Sequence, residues 1–290
     1  LITTIIPTLC EAHRKVSLLR AIASIHGASS SPVRILVVAN GQRYDPALLA
    51  ELAGRSDLEL IRIEEGSQTG AQLAGRRAVQ TPFFSFLDDD DEYLPGTLDE
   101  RAALLLADPR ADIALTNGYL CVDGIDEVCY ARLDKVPARA LFELFQENWL
   151  HNCNQLFRTA SISVADFENT HPLMEWTWLA FRLIMQGRRV AVSDRLGFRY
   201  HDTPGSLSKS GSFLASRVTV YQRMLSLQPD REITRILRQR LCDAWHEVAM
   251  DALRRGQRGA AVRAHLHSLS SHWSGLKFLP SSRHLLRVRA

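Results

Sequence analysis

The period of the apolar positions switches back and forth along the first ninety residues. Residues 2–8, ITTIIPT, form a β-rich run. Residues 11–28 then place Val16, Leu19, Ile22 and Ile25 at helical spacing, with Gly27 near the end. Residues 33–41, VRILVVANG, read as a buried strand leading into an Asn-Gly turn. Residues 45–54, DPALLAELAG, carry Asp as N-cap, Pro at the first helical position and Gly at the close. Residues 58–65 alternate, residues 69–80 return to helical spacing, and PFFSFLD at 82–88 is the next strand. This α/β alternation predicts a mostly parallel sheet with helices on both faces. Ligands of such sheets bind outside the carboxyl ends of the strands.

Beyond Asp108-Pro109 the pattern loosens. Residues 111–120 and 152–158 read as strands, with a helix over 138–148 between them. Residues 174–187 form a mostly apolar helix, and 188–201 one or two strands. From residue 212 the chain is helical, with 231–256 the longest segment. The Ser- and Gly-rich stretch SLSKSGS at 206–212 marks the clearest shift in composition. The expected division is a domain over residues 1–210, in halves of about 1–110 and 111–210, and a helical C-terminal extension over 211–290.

Composition adds exclusions. The 290 residues are 46% apolar and 23% charged, an ordinary globular content, long enough to bury a sizeable core. A net charge of +3 is too small to argue for nucleic acid. No apolar run approaches the ~18 residues that span a bilayer. The opening LITTIIPTL lacks the basic stretch and cleavage site of a leader and reads as a strand at the start of a domain. The five cysteines, Cys10, Cys121, Cys129, Cys153 and Cys242, are odd in number and form no CxxC pair. That argues against a disulfide framework or zinc site and for a reducing, cytoplasmic compartment.

One stretch carries chemistry. In SFLDDDDEYLPG, residues 85–96, four aspartates directly follow an apolar strand and precede a Pro-Gly turn. Most short acidic runs are solvated loops. This one is delivered to the ligand-binding edge of the sheet, where adjacent carboxylates repel unless a cation offsets them. A hard divalent ion is the natural partner, and Mg²⁺ takes one or two carboxylates while leaving positions for substrate phosphates. An EF-hand does not fit, because its spaced ligands, central Gly and terminal Glu are missing.

LDDDDEYLPG resembles the acidic motif of family 2 glycosyltransferases, which have the GT-A fold. The resemblance implies a metal, Mn²⁺ or Mg²⁺, on Asp90, with Asp88 and Asp89 sharing the sugar or ribose role. It extends along the chain to about Ser208. TTIIPTLCEAHRKVSLLRAIASI is similar to the family's opening strand and helix, which puts Pro7, Thr8 and Glu11 at the nucleotide. ILVVANGQ is similar to the second strand; Ala39 replaces the usual first Asp, while Asn40 remains to hydrogen-bond the base. In TGAQLAGRRAVQ, Arg76 falls on the family's Arg and Arg77 replaces Asn. A guanidinium there suits the donor diphosphate, and a solvated helix face is the alternative.

The resemblance implies an inverting transfer, which needs a base for the acceptor hydroxyl. LMEWTWLAFRL resembles the segment that supplies it. Aligned on Trp176, Glu175 takes the catalytic position and Met174 replaces the preceding acid. The alternative for Glu175 is a carboxylate favoured by a helix N-terminus. FRYHDTPGSLS resembles the strand and loop whose His completes the metal site in some members, which points to His201. His151 and Trp176 are candidates for the acceptor side. The implied donor is UDP-, dTDP- or GDP-linked, and the acceptor a glycan or lipid-linked hydroxyl in surface polysaccharide or glycoconjugate synthesis. Two other readings stay open: a sugar-phosphate nucleotidyltransferase, and a non-catalytic sugar-nucleotide-binding subunit. The former usually has a Gly-rich loop after its first strand, and PTLCEAHRK has no glycine.

The C-terminal part is rich in arginine, and HWSGLKFLPSSRHLLRVRA mixes aromatic, aliphatic and basic residues. A helical lid or packing extension is the favoured reading. Contact with an anionic membrane at its inner, cytoplasmic face is the other.

Overall fold

A computed structural model describes residues 1–202 and 211–282. The first part alternates as the sequence predicts: β1 (Ile2–Thr8), α1 (Lys15–Ala28), β2 (Val33–Asn40), α2 (Pro46–Ala53), β3 (Glu59–Ile63), α3 (Gln68–Ala78) and β4 (Phe83–Phe86). These four strands are parallel, in the order β3-β2-β1-β4. Every residue of β1 is buried, in keeping with a run of β-branched residues covered on both faces. Thr3 and Thr4 are matched by neighbouring hydroxyls, Thr3 Oγ1 to Thr81 Oγ1 at 2.7 Å and Thr4 Oγ1 to Ser85 Oγ at 2.9 Å. The chain winds outward through β2 and β3 and returns to add β4 on the other side of β1. Right-handed crossovers then put α1 and α2 on one face and α3 on the other. In sheets of this kind such a reversal marks the ligand-binding crevice, here at the carboxyl ends of β1 and β4.

Local choices explain the helices. Asp45 caps α2 by accepting from the Leu48 amide at 2.8 Å, as its sequence signature predicts. Ser67 caps α3 through the Gly70 amide at 3.0 Å. Gly75 lets α3 lie directly on β1, because a Cβ there would fall on the Ile5 side chain. The buried face of α1 is Leu18, Ala21, Ile22 and Ile25, and Val16 is 80% exposed rather than part of that face. A 3-10 turn at Ala12–Arg14 precedes the helix, so Val16 sits in its first turn, on the solvent side.

The sheet continues with β5 (Glu92–Tyr93), β6 (Ile113–Val122), β7 (Ile125–Val128), β8 (Gln155–Arg158) and β9 (Val190–His201). Strand β8 joins β4 antiparallel, and β6, β9 and β5 follow in that order. Asp123 and Gly124, at φ 51° and 82°, turn β6 into β7. That Asp-Gly pair is a hairpin signal. Helices α4 (Thr97–Ala107), α5 (Val136–Leu144), α6 (Ala165–Glu168) and α7 (Glu175–Met185) fall between these strands. Arg101 of α4 is fully buried; it donates to Thr116 Oγ1 and to the carbonyls of Cys153 and Gln155.

The chain divides into two compact units. The first is Leu1–Thr170 with Leu179–Pro204; the second joins His171–Trp178 to the chain from residue 205 onward. The second unit contains α8 (Gly211–Ser226), α9 (Arg231–Arg254), α10 (Arg258–Ser271) and a 3-10 helix at Trp273–Ser281. Within it Arg223 of α8 donates to His171 Nδ1 at 3.0 Å and lies 4.2 Å over the Trp178 ring. All five cysteines are free. No helix among the described residues is long and apolar enough to cross a membrane.

Candidate active site

The crevice at the end of β4 is built around the acidic run. The Leu87 amide still bonds the Ile5 carbonyl, and then the chain turns, with the Asp91 amide on the Asp88 carbonyl at 3.2 Å. This turn brings residues three apart together. Carboxylate oxygens of Asp88, Asp90 and Asp91 lie within 4.8 Å of one another. Asp89 points the other way and is buried against the end of β1. It accepts from Thr8 Oγ1 at 2.6 Å and from Arg14 at 2.9 Å. The same Arg14 nitrogen donates to Asp90 at 2.7 Å, and Arg20 donates to the Asp90 carbonyl at 2.5 Å. Gln68, in the first turn of α3, reaches Asp88 at 3.2 Å.

Asp91 is the unusual member. It is fully buried, and its Oδ1 accepts from the His201 amide at 3.0 Å. Its Oδ2 has no hydrogen-bond partner. Burial, with Asp88 and Asp90 adding their charge, pushes its carboxyl well above the usual range. Burial likewise raises Asp89, against the pull of Thr8 and Arg14. Neighbouring groups feel the same field. Burial and the charge of Asp91 raise the Cys129 thiol to about 12, and Tyr200 is raised by burial and by Asp91 and Asp88. A buried, half-satisfied carboxylate beside two others is costly unless a cation or proton completes it. The donors are all carboxylate oxygens, so the site suits a hard divalent cation.

The structure brings together most of the residues singled out on the nucleotide side. Thr8 and Asn40 are both buried at the strand ends, with Asn40 Nδ2 donating to the Thr8 carbonyl at 2.9 Å. Pro7 lies in β1 beside Val38, one residue before Thr8. Glu11 follows in the next loop, half-buried and 3.4 Å from Arg43. His201 reaches the cluster through its backbone amide, while its ring Nε2 lies 3.0 Å from Glu92 and is outside the three-carboxylate group. Bonds from His201 and Arg199 outweigh burial and hold Glu92 below its ordinary value. The His151 ring packs edge-on to Tyr200 at 5.9 Å and bonds the Asn148 carbonyl at 2.7 Å.

Arg76 is not with them. It sits eight residues beyond Gln68, about 12 Å further along α3 at 1.5 Å per residue. Its side chain is buried over the Phe84 ring and donates to the carbonyls of Ile162 and Thr159. It therefore ties the segment after β8 to the helix. Arg77 is ion-paired with Glu168 at 2.9 Å. Glu175 and Trp176 open α7 in the second unit, and both are half-buried. Burial pushes the Glu175 carboxyl up. The end of the FRYHDTPGSLS stretch lies outside the described residues, which resume at 211.

Four residues at the site were not singled out in the sequence: Arg14, Arg20, Gln68 and Asp91. Arg14 and Arg20 read as the polar face of a helix. Asp91 was legible only as part of the run, since a tight turn rather than any period pairs it with Asp88.

The family model described as Glycosyl transferase family 2 matches residues 3–164. No curated protein matches the chain. Solved structures of S. aureus TarS are similar in fold. The crystal structure of TarS 1–349 has 14% identity, covers 100% of this chain and 93% of its own, and superposes with a TM-score of 0.67. The same fragment in complex with UDP-GlcNAc has 15% identity, coverage of 97% and 92%, and a TM-score of 0.65. In complex with UDP it has 14% identity, coverage of 97% and 91%, and a TM-score of 0.63.

Proposed function

The chain belongs to glycosyl transferase family 2 and has the GT-A fold, and from that premise we propose a metal-dependent, inverting transfer of a sugar from a nucleoside diphosphate to a glycan or lipid-linked hydroxyl. The observation that carries this reading is the convergence of Asp88, Asp90 and Asp91 where the sheet reverses direction. Asp88, Asp90 and Asp91 would hold Mn²⁺ or Mg²⁺. When bound, such an ion supplies charge neutralisation at the donor diphosphate. Pro7, Thr8, Glu11 and Asn40 shape the nucleotide end of the crevice, and Asp89, fixed by Thr8 and Arg14, holds that edge in register with the carboxylates. UDP is the first nucleotide to test, because two of the similar TarS structures contain UDP or UDP-GlcNAc.

Glu175 is assigned as the base that takes the acceptor proton during direct displacement at the anomeric carbon. What supports it is its chemistry: a half-buried carboxyl whose pKa burial raises, the direction that makes a general base effective. Trp176 and His151 are assigned to the acceptor. The reaction belongs to surface polysaccharide or glycoconjugate synthesis on the cytoplasmic side of a membrane.

The test is calorimetric titration of UDP, GDP and dTDP into the protein, with and without Mn²⁺, repeated on Asp90→Ala. Metal-dependent binding of one nucleotide, lost in the variant, is the expected result. If no nucleotide binds to the folded protein, with or without Mn²⁺, the proposal fails.

A further inference from the structure

We propose that the second unit carries a docking surface for an anionic lipid bilayer, formed by an arginine-lined pocket on α9 and the apolar stripe of the 3-10 helix beside it. The inference concerns a surface of that unit alone and does not rest on the transfer reaction. Arg231, Arg235 and Arg238 stand at i, i+4 and i+7 of α9, on one face. With Pro229, Thr234 and His272 they line a cavity of about 260 Å³. All three arginines are exposed, and among the described residues none has an acidic partner. Like charges at this spacing weaken a helix, and cations in its first turns oppose its dipole. Folding therefore does not call for this arrangement. Three guanidinium forks around a cavity of this size suit phosphate groups.

The apolar half lies next to it. His272 lines the same cavity, and its ring centroid is 5.3 Å from that of Trp273. A 3-10 helix has three residues per turn, so Trp273, Leu276 and Leu279 fall in a single line. They are 76%, 59% and 49% exposed. The opposite line faces inward. Gly275 lies against the Ser268 carbonyl, too close for any Cβ, and Phe278 stacks on His246 at 3.7 Å. The close seat at Gly275 thus holds the helix with its Trp-Leu-Leu line outward.

A free phosphate ion would account for the arginines but not for the stripe. A second protein surface would account for the stripe but not for three unpaired arginines. A bilayer accounts for both, since indole and leucine side chains settle at the interface while arginines meet lipid phosphates.

The test uses the full chain without nucleotide, sedimented with vesicles of phosphatidylcholine alone or with one-third phosphatidylglycerol. Binding is expected to the anionic vesicles and not to the neutral ones. Replacing all three arginines (Arg231→Ala, Arg235→Ala, Arg238→Ala) should weaken it on the order of a hundredfold. Trp273→Ser with Leu276→Ser should weaken it about tenfold or more. All five side chains are exposed, and an unchanged urea midpoint checks that each variant is folded. The proposal is overturned if the wild type ignores anionic vesicles, or if either folded variant binds them as the wild type does. It is also overturned if inorganic phosphate at millimolar concentration abolishes vesicle binding, which marks a free-anion site. Self-association lost in Leu276→Ser would assign the stripe to a second copy and overturn it as well.

Discussion

Replacing Asp91 with asparagine tests the electrostatic account of the site. With carboxylate oxygens no more than 4.8 Å apart, two full charges repel by about 3 kcal/mol or more at an effective dielectric near 20. Asp91 faces two such neighbours, so ionising it beside both costs on the order of 7 kcal/mol before Arg14 offsets part of the charge at Asp90. Without a cation, Asp91 therefore keeps a proton to a higher pH than it does in the unfolded chain. The folded state then binds more protons than the unfolded one. Stability falls as pH rises from the ordinary carboxylate value, about 4, through the raised one, and is greatest below that window. A side-chain amide carries no charge, so Asp91→Asn removes the fall. In metal-free buffer near pH 8 the variant should melt a few degrees above wild type, at about 2–4 °C per kcal/mol for a chain of this size. Near pH 4 the two should converge. Mn²⁺ at a hundred times its dissociation constant stabilises the wild type by about 2.7 kcal/mol, or roughly 5–10 °C, and less than half of that should remain in the variant. Scanning calorimetry at both pH values, with and without Mn²⁺, reads all four numbers. A variant that melts below wild type at pH 8, or that keeps the full Mn²⁺ increment, would refute this account of Asp91.

Glu175→Gln should lower kcat by about 10²–10⁴ with unchanged circular dichroism, and normal transfer by the variant would remove Glu175 as the base. Because burial raises the Glu175 carboxyl and a base must be ionised, wild-type kcat should rise with pH through that raised value. Gly75→Ala drives a methyl into Ile5 and Val38 and should cost about 1–3 kcal/mol in urea unfolding; a stability equal to wild type would mean that α3 moves away from β1 freely. Arg101→Met leaves Thr116 Oγ1 and two buried carbonyls without their donor and should cost about 3 kcal/mol or more by the same measurement.

The alternation of strand and helix was legible because its signals are local. Asp45-Pro46 starts α2 where the cap signature puts it, and β1, a run buried on both faces, needs no partner to be read as a strand. The acidic run was legible for the same reason, as an apolar strand followed at once by charge. The ambiguity lay inside the run. Asp88 and Asp90 read as the pair, and Asp89 as the shared position. The turn at 88–91 instead sends Asp89 to Thr8 and brings Asp91 in as the third carboxylate. Arg76 matched a motif, but a motif does not report burial; α3 carries it away from the crevice and under the segment after β8.

The sequence alone determined the strands and helices of the first part, the edge at which a ligand would sit, and the presence there of more negative charge than a closed site holds unaided. These depend on periods, caps and neighbours a few residues apart. Tertiary structure decided which oxygens converge and what faces them. Thr8 meets Asp89 across 81 positions, Arg14 meets Asp89 and Asp90 across 75 and 76, and the His201 amide meets Asp91 across 110. Those contacts exist because β1, β4 and β9 are laid into one sheet, and no local pattern records which distant strand will lie alongside.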